Sequence, residues 1–209
     1  IAAVSTKEQG VNVEDDWDGF GQKTTGSGTL KIQHVEIDRD HLYPFDQRFK
    51  YQTAFYQVVH LATLTGIAFS AVETFSEEVR KRTRIFSHGN ADLVKDDAQI
   101  LQVIGKASSQ AFASQAITLK TAAALDAAYI SHFGSNPEID NEKNQIAELE
   151  SSQGQVIISD LVLDLTTKLF NSLGASASST TKQLDRFWRN ARVVSSHNPI
   201  IYKEKVVGA

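Results

Sequence analysis

Asp185-Arg186-Phe187-Trp188-Arg189-Asn190-Ala191-Arg192-Val193-Val194-Ser195-Ser196-His197-Asn198-Pro199 is a basic, aromatic helix end that runs straight into a His-Asn pair stopped by proline. Upstream of it the chain reads as a series of long helices. Phe55, Val58, Val59, Ala62, Gly66, Ile67, Val72, Phe75 and Val79 recur every three to four residues, which predicts a first helix running to about Phe86. A second opens at Asp96-Asp97-Ala98-Gln99, a capping-box spacing with Asp96 as acceptor and Gln99 reaching back, and continues toward His132. Asn136-Pro137 restarts the chain with proline in the first helical position. This third helix passes through Ile146, Val156, Leu161 and Leu169 to Leu173, where Gly174 is placed to stop it. A fourth spans about Thr180 to Arg192. Long helices with short connections imply an antiparallel four-helix bundle.

The first residues are of another kind. From Ile1 to about Asp38, Gly19, Gly21, Gly26 and Gly28 punctuate short alternating runs such as Leu30-Lys31-Ile32 and Val35-Glu36-Ile37, which is strand-and-turn material. The apolar phase slips at Gln33-His34, as a bulge or a strand end would make it. The composition boundary near Tyr43-Pro44 divides the chain into residues 1–42, strand-and-turn material, and 43–209, the helical domain. The fold class is therefore mainly α.

The chain has 209 residues, 41% hydrophobic and 22% charged, which is ordinary globular material. A net charge of −4 offers no basic footprint for nucleic acid. No apolar run approaches the length of a membrane span, and no signal-like start is present, so the expected location is cytoplasmic. Without cysteine there is no disulfide, thiolate catalysis or Cys-ligated metal. The chain starts at Ile1, contains no methionine and ends on Val206-Val207-Gly208-Ala209, so it reads as a piece of something longer.

The stretch from Asp185 to Pro199 resembles the C-terminal signature of the acyl-CoA dehydrogenase superfamily. In the dehydrogenases a Tyr-Glu-Gly-Thr follows, and its glutamate removes the substrate α-proton; here His197-Asn198-Pro199 falls in that place. A carboxamide has no useful basicity near neutral pH and cannot replace that carboxylate. The segment is similar instead to the flavin-dependent monooxygenase branch, typified by dibenzothiophene monooxygenase and the sulfur-acquisition oxidoreductases. Members run to roughly twice this length; the resemblance implies that residues 1–42 are the end of a middle β-barrel or sandwich domain, and that the first part of that domain and an N-terminal helical domain are missing.

Four places could carry chemistry. Asp15-Asp16-Trp17-Asp18-Gly19-Phe20-Gly21-Gln22 reads either as a Gly-rich hairpin with a packing tryptophan or, by the resemblance, as the segment in which Trp17 bounds the flavin or substrate pocket. Arg80-Lys81-Arg82-Thr83-Arg84-Ile85-Phe86 suits a helix C-terminus through the dipole. The resemblance adds an Arg-x-x-Phe-Gly-like motif whose arginine binds flavin phosphate on a neighbouring subunit, and here Arg82 and Arg84 flank a threonine at its expected position. Gly174-Ala175-Ser176 resembles the small-residue loop that approaches the cofactor's phosphate or adenosine side; any tight helix connection uses the same residues. His197 is either a structural histidine or, by the resemblance, the residue facing the reactive edge of the flavin, with Asn198 beside it. The other five histidines show no metal-ligand spacing, and no metal is expected.

The expected function is that of a two-component monooxygenase: reduced FMN or FAD, supplied by a separate flavin reductase, reacts with O2 to a C4a-peroxyflavin that oxygenates a small organic, sulfur-containing substrate. The fragment alone would be inactive. An acyl-CoA dehydrogenase with bound FAD is the second reading and a non-enzymatic helical assembly module the third. Family resemblance implies a homotetramer built through the helical domain, and the charge and hydropathy patterns imply no nucleic-acid or membrane partner.

Overall fold

Along the helix α1 (Gln52–Lys81) the buried residues Ala54, Gln57, Leu61, Leu64, Ala68, Ala71 and Phe75 alternate spacings of three and four, the pattern of a helix that keeps one seam against its neighbours. In the computed structural model, which describes residues 1–209, that seam meets α2 (Ala98–His132) and α3 (Pro137–Lys168). On α2 the matching stripe is Ala107, Ala111, Ser114, Thr118 and Thr121. On α3 it is Asn144, Ala147, Ser151, Gly154 and Ile158, followed by Val162 and Leu165.

Small residues on facing stripes let the three helices approach closely. Gly154 marks the tightest point: a Cβ there would lie 2.8 Å from Leu61 Cδ1 and 3.3 Å from Thr121 Oγ1. Among the buried hydroxyls, Thr118 donates to the Ser114 carbonyl and Thr121 to that of Ile117, while Thr65 and Thr118 hydrogen-bond between α1 and α2 at 2.9 Å. Pairings fix the directions. Gln110 reaches Asp164 and Ser131 reaches Asp140, so α2 and α3 are antiparallel, whereas Lys50 meets Asp140 and Gly154 faces Leu61, so α1 and α3 are parallel.

The fourth member is short. α4 (Arg186–Ser195) inserts Phe187, Ala191 and Val194 into the core formed by α1 and α3. It starts later than the expected Thr180, because tight turns at Ala175–Ser178 and around Gln183 occupy the intervening chain. α5 (Ile200–Gly208), not expected from the sequence, begins after Pro199 and packs on α3.

Other boundaries also shift. α1 stops at Lys81 rather than Phe86, because Arg82 turns extended and spends its guanidinium on the carbonyls of Leu173 and Arg84. The N-cap of α2 is Asp97, not Asp96, which lies in a tight turn with Val94 and Lys95. Asp97 accepts the N–H groups of Gln99 and Asn90, each at 2.9 Å. Asn136 caps α3 with Pro137 behind it, as its sequence predicts, but regular α-helix ends at Lys168 and a tight turn carries the chain to Gly174, where φ is +104°.

Before α1 the regular structure is one antiparallel hairpin, β1 (Val11–Glu14) with β2 (Thr29–Ile32), paired from Val11↔Ile32 to Glu14↔Thr29. Val35-Glu36-Ile37 is not a strand. The chain turns at His34, φ +52°, and leaves those residues with no strand beside them to complete a ladder. By length and composition α1 is apolar enough to cross a membrane, although polar residues interrupt its apolar runs; its apolar seam is buried against α2 and α3.

Candidate active site

The loop Trp17–Gln22 is folded onto α4 by contacts that its own composition permits. Trp17 donates its indole N–H to the Gly21 carbonyl at 2.9 Å, closing the loop on itself. Gly21 then lies so near α4 that a Cβ would stand 2.3 Å from the Arg189 carbonyl oxygen, which only glycine tolerates. Arg189, aligned by its ion pair with Asp185, donates to the Phe20 carbonyl at 2.9 Å, and Phe20 stacks on Trp188 at 5.9 Å.

This docking closes one side of a cavity of about 780 Å³, within the usual range for small-molecule sites. Trp17 and Phe20 come from the loop, Val59, His60 and Thr63 from α1, and Arg192, Val193, Val194, Ser196 and His197 from α4 and the turn after it. Gln22, Thr25 and Ser27 add polar groups at the rim. Apolar walls with a few hydrogen-bonding groups suit a flat heteroaromatic ring, so the residues present fit a flavin. The lining includes one guanidinium, that of Arg192, and no carboxylate. The structure thus brings Trp17 and His197 together from positions 180 residues apart in sequence.

Asn198 is not part of that lining. Its main-chain carbonyl instead accepts the side-chain N–H of buried Gln155 on α3 at 3.0 Å, which pins the turn carrying His197. His60, which the sequence suggested only as a histidine without metal-ligand spacing, lies ring against ring with His197 at 4.3 Å. Burial, and then the charge of His197, push the His60 imidazole below the usual histidine range. Position alone could have flagged it, since it precedes Leu61 at the edge of the buried stripe. Arg192 was legible in another way: Arg189 has Asp185 four residues before it, while Arg192 has Trp188 there and no acidic neighbour within a turn.

The second group of candidates sits elsewhere. Arg82 and Gly174 line a smaller cavity of about 290 Å³ together with Phe86, His88 and Asp97. Arg84, Ala175 and Ser176 are outside its lining, Arg84 because the chain is already leaving α1. His60 and Lys81 lie 21 positions apart on α1, about 32 Å at the helical rise of 1.5 Å per residue. Within one chain, Arg82 and His197 therefore serve different cavities.

Residues 58–200 match the family described as acyl-CoA dehydrogenase, C-terminal domain. The chain belongs to that family. Among curated relatives, the dibenzothiophene monooxygenase of Mycolicibacterium goodii is 26% identical over 99% of this chain and 51% of its own length. A probable FMNH2-dependent monooxygenase, SfnC, of Pseudomonas putida is 26% identical over 100% of this chain and 53% of its own. The chain thus spans about half the length of the curated relatives it matches. The fold is that of the methanesulfinate monooxygenase MsuC from Pseudomonas fluorescens, with a TM-score of 0.89 at 24% identity over 99% of this chain and 54% of that one. TdsC from Paenibacillus sp. A11-2, a dibenzothiophene monooxygenase, aligns with a TM-score of 0.86 at 25% identity over the same shares, and its complex with FMN and indole gives 0.87 at 24%.

Proposed function

We propose that this chain is the C-terminal part of a flavin-dependent monooxygenase that uses reduced FMN, delivered by a separate reductase, to oxygenate a small, sulfur-containing organic substrate. The observation that carries the reading is the convergence of Trp17, His60, Arg192 and His197 on one cavity of flavin-compatible size with no carboxylate in its lining. Proton abstraction from an acyl-CoA needs a positioned carboxylate base, and none of these residues supplies one. The FMN and sulfur-compound chemistry of the relatives named above supports the same choice.

When bound, the reduced flavin supplies two electrons to O2, one oxygen atom passing to substrate and the other to water. Trp17 and Phe20 would hold the ring between apolar faces and keep water out. His197 would donate its imidazole N–H toward the reacting oxygen or take up its proton. Arg192 would face the negative charge of the reduced ring or the substrate. Arg82, just past the end of α1 and so far from His60, would bind the phosphate of a flavin held by a neighbouring subunit. That arrangement requires an oligomer, for which we propose a homotetramer. Large apolar side chains exposed on α1 and α2, among them Phe55, Phe69, Phe112, Leu119 and Ile130, support buried contacts between subunits.

The test is product formed per reduced flavin consumed, measured on the intact protein with one reductase throughout. His197→Ala should lower that ratio and raise hydrogen peroxide release, with reduced-flavin binding changed much less. Unaltered coupling in this variant would overturn the role of His197, and failure of the wild type to consume reduced FMN with O2 would overturn the function.

A further inference from the structure

His60 is not used in the reaction just described, yet it touches the residue on which that reaction turns. It is half-buried on α1 beside fully buried Leu61, and its ring lies 4.3 Å from that of His197, with 36° between the planes. His197 is the more exposed of the two. From the Trp17 loop the groups facing the cavity are uncharged, namely Gln22, Thr25 and Ser27; from α4 the single charge is Arg192, itself a cation. α3 contributes the neutral amide of Gln155, bonded to the Asn198 carbonyl.

Two imidazoles in contact, with a guanidinium nearby and no carboxylate to compensate, resist holding two protons. Half-burial adds to the cost of placing a charge on the His60 ring.

We propose that His60 is a positioning residue, which holds the His197 imidazole ring in place at the cavity wall. It acts through His197 alone. For its effect on oxygen transfer the proposal rests on the reading of this cavity as the reaction site, while the ring pairing stands apart from it. The lowered proton affinity of His60, caused first by burial and then by the charge of His197, accords with a half-buried ring packed against its neighbour.

The first experiment needs no flavin. The intact protein, labelled with ¹³C in its histidine rings, is titrated by NMR as wild type, His197→Phe, His60→Phe and His60→Ala. Replacing His197 should move the His60 midpoint up, because a neighbouring charge is lost while burial stays. His60→Ala should displace and broaden the His197 signal, and His60→Phe, which keeps a ring in place, should restore its line width. The second experiment measures product per reduced flavin. His60→Ala should lower it about two- to tenfold, the span to which an aromatic pair's contribution corresponds, with little change in KM. His60→Phe should recover most of the loss but show an altered pH profile.

A His60 midpoint indifferent to His197→Phe, or a His197 signal indifferent to His60→Ala, overturns the proposal. If the rings titrate together but neither His60→Ala nor His197→Ala changes coupling, the positioning role and the reaction-site reading both fall. If only His197→Ala uncouples, the positioning role alone falls.

Discussion

Asn190 accepts the main-chain N–H of Gln22 at 2.8 Å, a bond that joins residues 168 apart and holds the Trp17 loop against α4. Without it the partly buried Gln22 N–H has no other protein acceptor at hand, and the cavity loses a clamp on one wall. Asn190→Ala should cost about 0.5–1.5 kcal/mol, the net worth of a typical hydrogen bond. Hydrogen exchange at the Gln22 amide should accelerate more than that of amides in α1, a difference readable by mass spectrometry on peptides covering residues 15–28.

Gly154→Ala places a methyl group 2.8 Å from Leu61 Cδ1, within a three-helix contact that has no room for it. Overpacking of this kind costs about 1–3 kcal/mol. The urea midpoint should fall by a corresponding amount with an unchanged slope. Gly66 on α1, where a Cβ would meet nothing within 4 Å, provides the control: Gly66→Ala should stabilise through helix propensity.

The N–H groups of Asn90 and Gln99, donated to Asp97, hold its carboxyl below the usual carboxylate range. A depressed folded-state value means that the stabilisation is complete above the ordinary carboxylate value of about 3.9 and is lost as pH falls through the lower one. Asp97→Asn should therefore lower stability at neutral pH and make the acid end of the stability curve flatter. Thermal melts between pH 7 and pH 3 check both the sign and the slope.

Arg82 donates to the Leu173 carbonyl and lines the smaller cavity beside Gly174, whereas Arg84 does neither. If Arg82 binds flavin phosphate for a neighbouring subunit, Arg82→Lys should weaken flavin binding by about one to two decades, corresponding to roughly 1.5–3 kcal/mol. Arg84→Lys should leave affinity unchanged. Equal affinities in both variants would leave Arg82 as the clamp between the ends of α1 and α3 and nothing more, which flavin titration alongside a thermal melt distinguishes.

Periodicity identified the helices because burial on one seam imposes a repeat that any stretch of 30 residues displays, as Leu61, Leu64, Ala68, Ala71 and Phe75 do on α1. Their ends were less legible. Whether α1 stops at Lys81 or Phe86 is decided by Arg82 reaching the Leu173 carbonyl, a partner 91 residues away that local propensity does not contain. The same holds for Val35–Ile37, whose alternation is that of a strand but which lacks a neighbour to pair with.

The sequence by itself determined the mainly helical fold, the caps at Asn136 and near Asp97, and the absence of cysteine chemistry. These depend on the identity and spacing of residues close in the chain. Only the tertiary structure decided that His60 meets His197, that Asn198 turns its carbonyl to Gln155, and that Arg82 and His197 serve separate cavities. Those relations arise where three helices and a docked loop converge, and contact between residues far apart in sequence is set by packing and helix direction, which no local pattern encodes.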